Sequence, residues 1–323
     1  MISVEELLSR AALDDEELGS FDVPLVVVDL STASDVPATA VAPLESMPRV
    51  LVGFGAEDGP GLLGRALDVV TADVSTIDAI RRTVESAPRA SVALVLLLRG
   101  RSGRTPDEAL VAESMTYSML QAGPEFASWR SARPSRIVPP DAERAVHWER
   151  RGSELRVTLN RPHRHNAYSS AMRDDLVAAL RVALAEPSLR VVLTGAGPSF
   201  SSGGDLDEFG SFPDPATAHL VRLTRSAPRL LVRIGERVEA RVHGACLGAG
   251  VELAAFARRV VARSDSVFGL PELSLGLIPG AGGTASLPMR IGRQRTARLA
   301  LTMEKIDVTT ALRWGLVDEL SDD

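Results

Sequence analysis

His243-Gly244-Ala245-Cys246-Leu247-Gly248-Ala249-Gly250-Val251-Glu252-Leu253-Ala254 is the stretch on which the fold turns. Just before it, Val238, Ala240 and Val242 alternate with Glu239 and Arg241, the two-residue period of a strand with one buried face. Just after the glycines a helix begins. The first N–H groups of such a helix lack partners within it, and the positive end of its dipole faces outward. Small residues at Gly248, Ala249 and Gly250 let a ligand approach those donors closely. Glu252 lies three residues beyond Ala249, close to the same face of the helix and about one turn further on.

Working outward, the strand-then-loop pattern recurs. Leu155, Val157 and Leu159 alternate with Arg156, Thr158 and Asn160, which predicts a strand. Ser169 can cap a helix with Met172, Leu176, Leu180 and Leu184 on one side. Residues 190–194 read as the next strand and lead into a loop holding Ser201-Ser202-Gly203-Gly204-Asp205. Val260 and Val261 open a further strand segment, followed by Phe268-Gly269-Leu270-Pro271-Glu272. Alternating strands and helices predict the α/β class. One N–H from each glycine loop, gripping one oxygen from two sides, would make an oxyanion hole. The glycines alone fit two tight turns equally well. Glu252 and Glu272 add a carboxylate pair of the kind that moves protons at carbon beside a carbonyl, although most glutamates are simply solvated.

The 323 residues suffice for about two domains of typical size. Pro134, Pro139 and Pro140 predict an extended linker over 131–145, between an N-terminal region, 1–130, and a core, 146–323. In the N-terminal region, 25–30, 50–54 and 92–98 read as buried strands, and 75–86 and 107–122 as helices, giving a smaller α/β layer. The second helix has a full start signal: Thr105 as N-cap, Pro106 at the first position and Glu108 closing a capping box. Val111, Met115, Met119 and Ala122 form its apolar stripe, and Gly123-Pro124 stops it. Gly53, Gly55 and Gly59 lack the spacing of a dinucleotide loop, and no lysine is placed for a P-loop, since Lys305 is the only one.

Composition narrows the function classes. Hydrophobic residues are 45% and charged residues 24% of the chain, ordinary globular proportions. A formal charge of −6 argues against broad nucleic-acid binding. A single cysteine, Cys246, allows no internal disulfide and fits a reducing compartment. The acidic first twenty residues lack the pattern of a signal peptide, and the longest apolar run, 92–98, is too short to cross a bilayer. A cytoplasmic protein with no membrane partner is expected. No His/Cys cluster suggests a metal site. His163, His165 and His243 invite a triad with Ser201 or Ser202, but no nucleophile elbow surrounds those serines.

Five motifs, in order from about residue 153 onward, resemble the enoyl-CoA hydratase (crotonase) family. They are Asn160-Arg161-Pro162 with Asn166-Ala167-Tyr168-Ser169; Phe200-Ser201-Ser202-Gly203-Gly204-Asp205-Leu206; the stretch 243–254; Phe268-Gly269-Leu270-Pro271-Glu272 with the run 276–284; and Ala311-Leu312-Arg313-Trp314-Gly315-Leu316-Val317-Asp318. The resemblance implies a spiral core of ββα units and an acyl-CoA thioester substrate. Coenzyme A then arrives as part of the substrate, with no separate cofactor, and a homo-oligomer, by default a trimer, is expected. It implies that the N–H groups of Gly204 and Ala249 form the oxyanion hole. Glu252 would orient and deprotonate water, and Glu272 would protonate C2 of a 2-enoyl-CoA. Arg164, Asn166, Ala167, Ser202 and Gly203 are implied substrate or coenzyme contacts, as are Asp205, Leu206, Gly248, Leu270 and Gly280. Tyr168 suits either the acyl pocket or the core.

The departures matter. Ala249 stands where glycine is usual, which a backbone donor tolerates. Leu270 replaces a common glutamine. Asp207 stands where a coenzyme-contacting lysine often sits, so Arg161 or Arg164 would have to substitute. Family members continue past the Gly315-Leu316-Val317 signature with helices that cover the acyl pocket. Region 1–130, through the helix 107–122, is expected to supply that cover here, or to be a degenerate copy of the same fold. Hydration leads the readings; isomerase or oxygenase chemistry, a non-catalytic partner subunit and a plain acyl-CoA binder are the alternatives.

Overall fold

The computed structural model describes residues 1–12, 23–31, 33, 36–55, 61–133 and 143–321. Most of the expected linker, 134–142, and Gly59 lie outside the described residues.

The N-terminal region is built on four parallel strands in sequential order: β1 (Ile2–Ser3), β2 (Leu25–Asp29), β3 (Val50–Phe54) and β4 (Val69–Thr71). Such strands are covered on both faces and read as continuous apolar runs. β3 shows the consequence. Its Leu51 packs with Leu7, Leu44 and Leu63 on one side, while Val50 and Val52 join the main core on the other. Helices α1 (Val4–Ala12), α2 (Ala38–Val41) and α3 (Gly61–Ala66) accompany the first side, and α4 (Val74–Ser86) and α5 (Pro88–Arg99) the second.

Residues 92–98, expected as a strand, lie inside α5. An apolar run without alternation suits a helix buried nearly all round, and Ala90, Ser91, Val92, Leu94, Val95, Leu97 and Leu98 are all buried. Pro88 at its start and Gly100 at its end were the local signals of a helix. At its last turn Arg99 reaches Asp68 at 2.5 Å and the carbonyls of Leu44, Met47 and Arg49, tying the helix to the sheet.

α6 (Pro106–Gln121) has the expected capping box: the Glu108 N–H donates to Thr105 Oγ1, and the Thr105 N–H to Glu108. Its buried face, however, is Ala109, Leu110, Glu113, Ser114, Tyr117 and Leu120, whereas Met115 and Met119 are 58% and 59% exposed. The expected stripe was the wrong face, because the inward face carries polar residues with partners elsewhere in the fold. α7 (Pro124–Ser131) completes the region.

In the core, β5 (Val146–Arg151) and β6 (Glu154–Leu159) form an antiparallel hairpin. β7 (Arg190–Gly195), β8 (Val238–Val242), β10 (Arg259–Arg263) and β13 (Glu319–Ser321) extend it in parallel, in the order β13-β10-β8-β7-β6-β5. β9 (Ala245–Leu247), β11 (Val267–Gly269) and β12 (Ile306–Asp307) make a smaller sheet. Cys246 is buried in β9. The helices are α8 (Ser170–Ala185, capped by Ser169), α9 (Pro215–Thr224), α10 (Ala227–Ile234), α11 (Ala249–Ala254), α12 (Gly283–Thr302) and α13 (Val308–Trp314). α12, kinked at Gly292, packs against α4, α5 and α6 as well as α11. One apolar core therefore includes Leu94, Leu98 and Leu120 together with Leu155, Leu176 and Leu287. No helix among the described residues is long and apolar enough to cross a membrane.

Candidate active site

The two glycine loops lie side by side. Ser201 donates its N–H to Ala245 O and accepts from Leu247 N–H, an isolated parallel bridge that joins the loops. Gly250 is required there, because a Cβ would come within 2.9 Å of Ser201 Cβ and its carbonyl oxygen. A second bridge fixes Gly204. Tyr168 N–H donates to Gly203 O at 2.7 Å, and Asp205 N–H donates to Tyr168 O at 3.0 Å. Gly204, between those partners, turns its own N–H away from Tyr168. Ala249 is the first residue of α11, so its N–H has no acceptor within that helix.

Three buried carboxylates approach these loops. Glu252, on α11, accepts at Oε2 from the N–H groups of Ala281, at 2.7 Å, and Gly283, at 2.8 Å. Glu272 follows Pro271 at the start of a 3-10 turn, Glu272–Leu275. Its Oε1 lies against Gly248, where a Cβ would come within 2.4 Å, and its Oε2 has no hydrogen-bond partner among the described residues. Glu113 comes from α6. It accepts from Gly282 N–H at 2.7 Å, Thr284 N–H at 2.9 Å and Thr284 Oγ1 at 2.7 Å.

Burial is the main force on all three. It pushes Glu272 up to about 8, with the Glu113 charge adding to it. It pushes Glu113 to about 7, against its three hydrogen bonds and the pull of Arg222. Burial and then the charges of Glu272 and Glu113 hold Glu252 well above the ordinary carboxylate range, although two N–H donors oppose them. Negative charge on Glu113 thus raises the cost of ionising both Glu252 and Glu272, and charge on Glu272 raises that of Glu252.

A cavity of about 160 Å³ brings together Gly204, Asp205, Ala249, Glu252, Glu272, Gly280 and Ala281. Tyr117 and Gln121 of α6 wall it too, with Tyr168, Arg173, Glu208, Phe209, Phe212 and Arg222. The Tyr117 ring packs on Gly280, where a Cβ would come within 2.4 Å of it. A larger cavity, about 820 Å³, lies between β4 and α12–α13, but neither glycine loop nor any of the three carboxylates reaches it. Among the described residues no cluster of three or more metal-ligating side chains occurs.

The description Enoyl-CoA hydratase/isomerase belongs to the family model that matches residues 149–322, more than half of the chain. The chain belongs to the enoyl-CoA hydratase/isomerase family. It is 38% identical over 170 residues to 2,3-dehydroadipyl-CoA hydratase of Escherichia coli K12, covering 51% of this chain and 65% of that protein's length. It is 33% identical over 174 residues to the putative enoyl-CoA hydratase/isomerase YhaR of Bacillus subtilis, covering 54% and 68%. Among solved structures, enoyl-CoA hydratase from Thermoplasma volcanium superposes with a TM-score of 0.51 at 37% identity, over 56% of this chain and 73% of that one. A putative enoyl-CoA hydratase from Thermobifida fusca, solved with CoA, gives 0.51 at 32% identity, over 56% and 73%. This enoyl-CoA hydratase/isomerase chain is thus an α/β protein of the crotonase fold over about half its length.

Against that family frame, the expected site residues divide. Gly204, Asp205, Ala249, Glu252, Glu272 and Gly280 wall the cavity. Arg164, Asn166, Ala167, Ser202, Gly203, Leu206, Gly248 and Leu270 do not wall it. Asn166 is fully buried and braces the loop: its side chain donates to Ala196 O and Ser199 O and accepts from Arg161 N–H. Ala167 contributes its carbonyl to Arg161. Arg161 is buried in an ion pair with Asp205 at 2.8 Å, which removes it as a coenzyme anchor. Arg164 pairs with Asp205 and with Asp207, at 2.8 and 2.6 Å. Asp207 is held by Arg164 and Arg133, and the hydrogen bond from Arg164 keeps its carboxyl below the usual range. Its charge is therefore locally offset. Leu270 is buried. Glu113, Tyr117, Gln121 and Arg222 were missed. Three of them lie on α6, before the family match begins, and only folding brings them to the loops.

Proposed function

We propose that the protein adds water to a short-chain 2-enoyl-CoA thioester, or catalyses the reverse dehydration. One observation carries the reading: Glu252 and Glu272 wall a single small cavity together with Gly204 and Ala249, whose N–H groups are unclaimed by strand or helix. In this reading the thioester oxygen sits between those two N–H groups. Negative charge grows on it as water adds at C3, and each donor contributes about 3 kcal/mol to the transition state. Coenzyme A comes with the substrate, and no other cofactor is invoked.

The hydrogen bonds support a division of roles. With Glu272 holding its proton, its charge no longer raises Glu252, and the two N–H donors at the start of α12 favour the ionised form of Glu252, which takes a proton from water as the O–C3 bond forms. Glu272, pushed up to about 8 and with one oxygen unpartnered, holds its proton at neutral pH and delivers it to C2. The pair resets by proton exchange with solvent. α6 covers the acyl end through Tyr117 and Gln121. The assay is loss of the conjugated-thioester absorbance of crotonyl-CoA, with the 3-hydroxyacyl product identified by mass. A purified protein that binds crotonyl-CoA and leaves it unchanged would overturn the reading.

A further inference from the structure

The catalytic cavity adjoins a second one of about 60 Å³, and the two share Tyr168, Arg173, Arg222, Gly280 and Ala281 as walls. The second chamber adds Arg225 and the inner face of α6, including Glu113 and Ser114. Its charges are unevenly matched. Asp174 pairs with both Arg173 and Arg225, at 2.9 Å each. Glu113 is occupied by the N-terminus of α12. Arg222 is half-buried, stacks over the Tyr117 ring at 4.7 Å and feels the Glu113 charge, but among the described residues its hydrogen bonds go only to neutral oxygens, those of Ser114, Ser118 and Gln121. The Tyr168 side chain walls the same two cavities, and its hydroxyl is buried with no hydrogen-bond partner among the described residues. A guanidinium with no carboxylate bonded to it among the described residues and an idle hydroxyl thus line the same two cavities. Desolvating both against a methyl end group would be costly, whereas an anionic end group would satisfy them.

We propose that Arg222 and the Tyr168 hydroxyl receive a carboxylate at the far end of the acyl chain. The substrates are then 2-enoyl-CoA thioesters of dicarboxylic acids. This rests on the acyl-CoA reading above but concerns the opposite end of the substrate from the reacting carbons. Arg222 is a specificity residue here, with Ser114, Ser118 and Gln121 holding its guanidinium in place.

The test compares trans-2-hexenedioyl-CoA with trans-2-hexenoyl-CoA, which differ only in the terminal carboxylate, and their saturated counterparts adipyl-CoA and hexanoyl-CoA by calorimetry. The carboxylated member of each pair is favoured by about tenfold or more, the worth of one charge-assisted hydrogen bond. Arg222→Gln brings the ratio close to one, Arg222→Lys retains part of it, and Tyr168→Phe, which removes only an unpaired hydroxyl, lowers it. A ratio near one in the native protein, or no binding of either saturated thioester, overturns the proposal. If adipyl-CoA is preferred but neither enoyl thioester is hydrated, the hydratase reading fails and this one stands.

Discussion

Glu113 and Glu252 divide four consecutive N–H groups at the start of α12 between them. Ala281 and Gly283 donate to Glu252, and Gly282 and Thr284 to Glu113. The carboxylate assigned to catalysis and a carboxylate from the other end of the sequence thus hold alternate sides of one turn. Replacing Glu113 by Gln sets an amide group against N–H donors. We expect a stability loss of about 1–3 kcal/mol, read by urea unfolding. Removing its negative charge, which raises Glu252, also moves the acid limb of the kcat/KM profile to lower pH. An unmoved limb would show that Glu113 is only structural.

The buried carboxylates also predict how stability depends on pH. Glu113 and Glu272 sit at about 7 and about 8 in the folded chain, and both start from an ordinary glutamate value of 4.5. Folding therefore binds protons between those limits. The contribution is fully present below pH 4.5 and is lost as pH rises through 7 and 8. Unfolding free energy is expected to fall by a few kcal/mol from pH 5 to pH 8, and Glu272→Gln should flatten that slope. A native protein whose stability rises across the range would contradict the protonation scheme.

Gly248 is a sharp probe of Glu272. Its φ is +48°, and a Cβ there would meet Glu272 Oε1 at 2.4 Å. Gly248→Ala should displace that carboxylate and lower kcat by about a hundredfold, the usual consequence of an ångström-scale misplacement. Circular dichroism should show the fold retained. Full activity would mean that the Glu272 position is not critical.

Much of this arrangement was legible along the chain, for reasons visible in particular residues. Val238, Ala240 and Val242 announce a strand by alternation, and Ser169 and Thr105 announce helices by their caps. Gly204, Ala249, Glu252 and Glu272 sit in short local patterns whose spacing survives folding. The failures lie where burial hides periodicity. α5 is apolar nearly all round, so it has no helical periodicity, and only Pro88 and Gly100 mark its ends. α6 turns Glu113, Ser114 and Tyr117 inward, and a stripe of methionines on its solvent side mimicked the core face. Arg222 meets Ser114 and Ser118 across more than a hundred residues of sequence, a proximity that no local pattern encodes.

The central claim is that Glu252 and Glu272 act together on one thioester. Its most direct test is kcat/KM for crotonyl-CoA in the native protein, in Glu252→Gln, in Glu272→Gln and in the double variant. Each single change should lower hydration by about a thousandfold, and the double should fall little further, because groups that work as a unit are not additive. Native-like hydration in either single variant would contradict the claim.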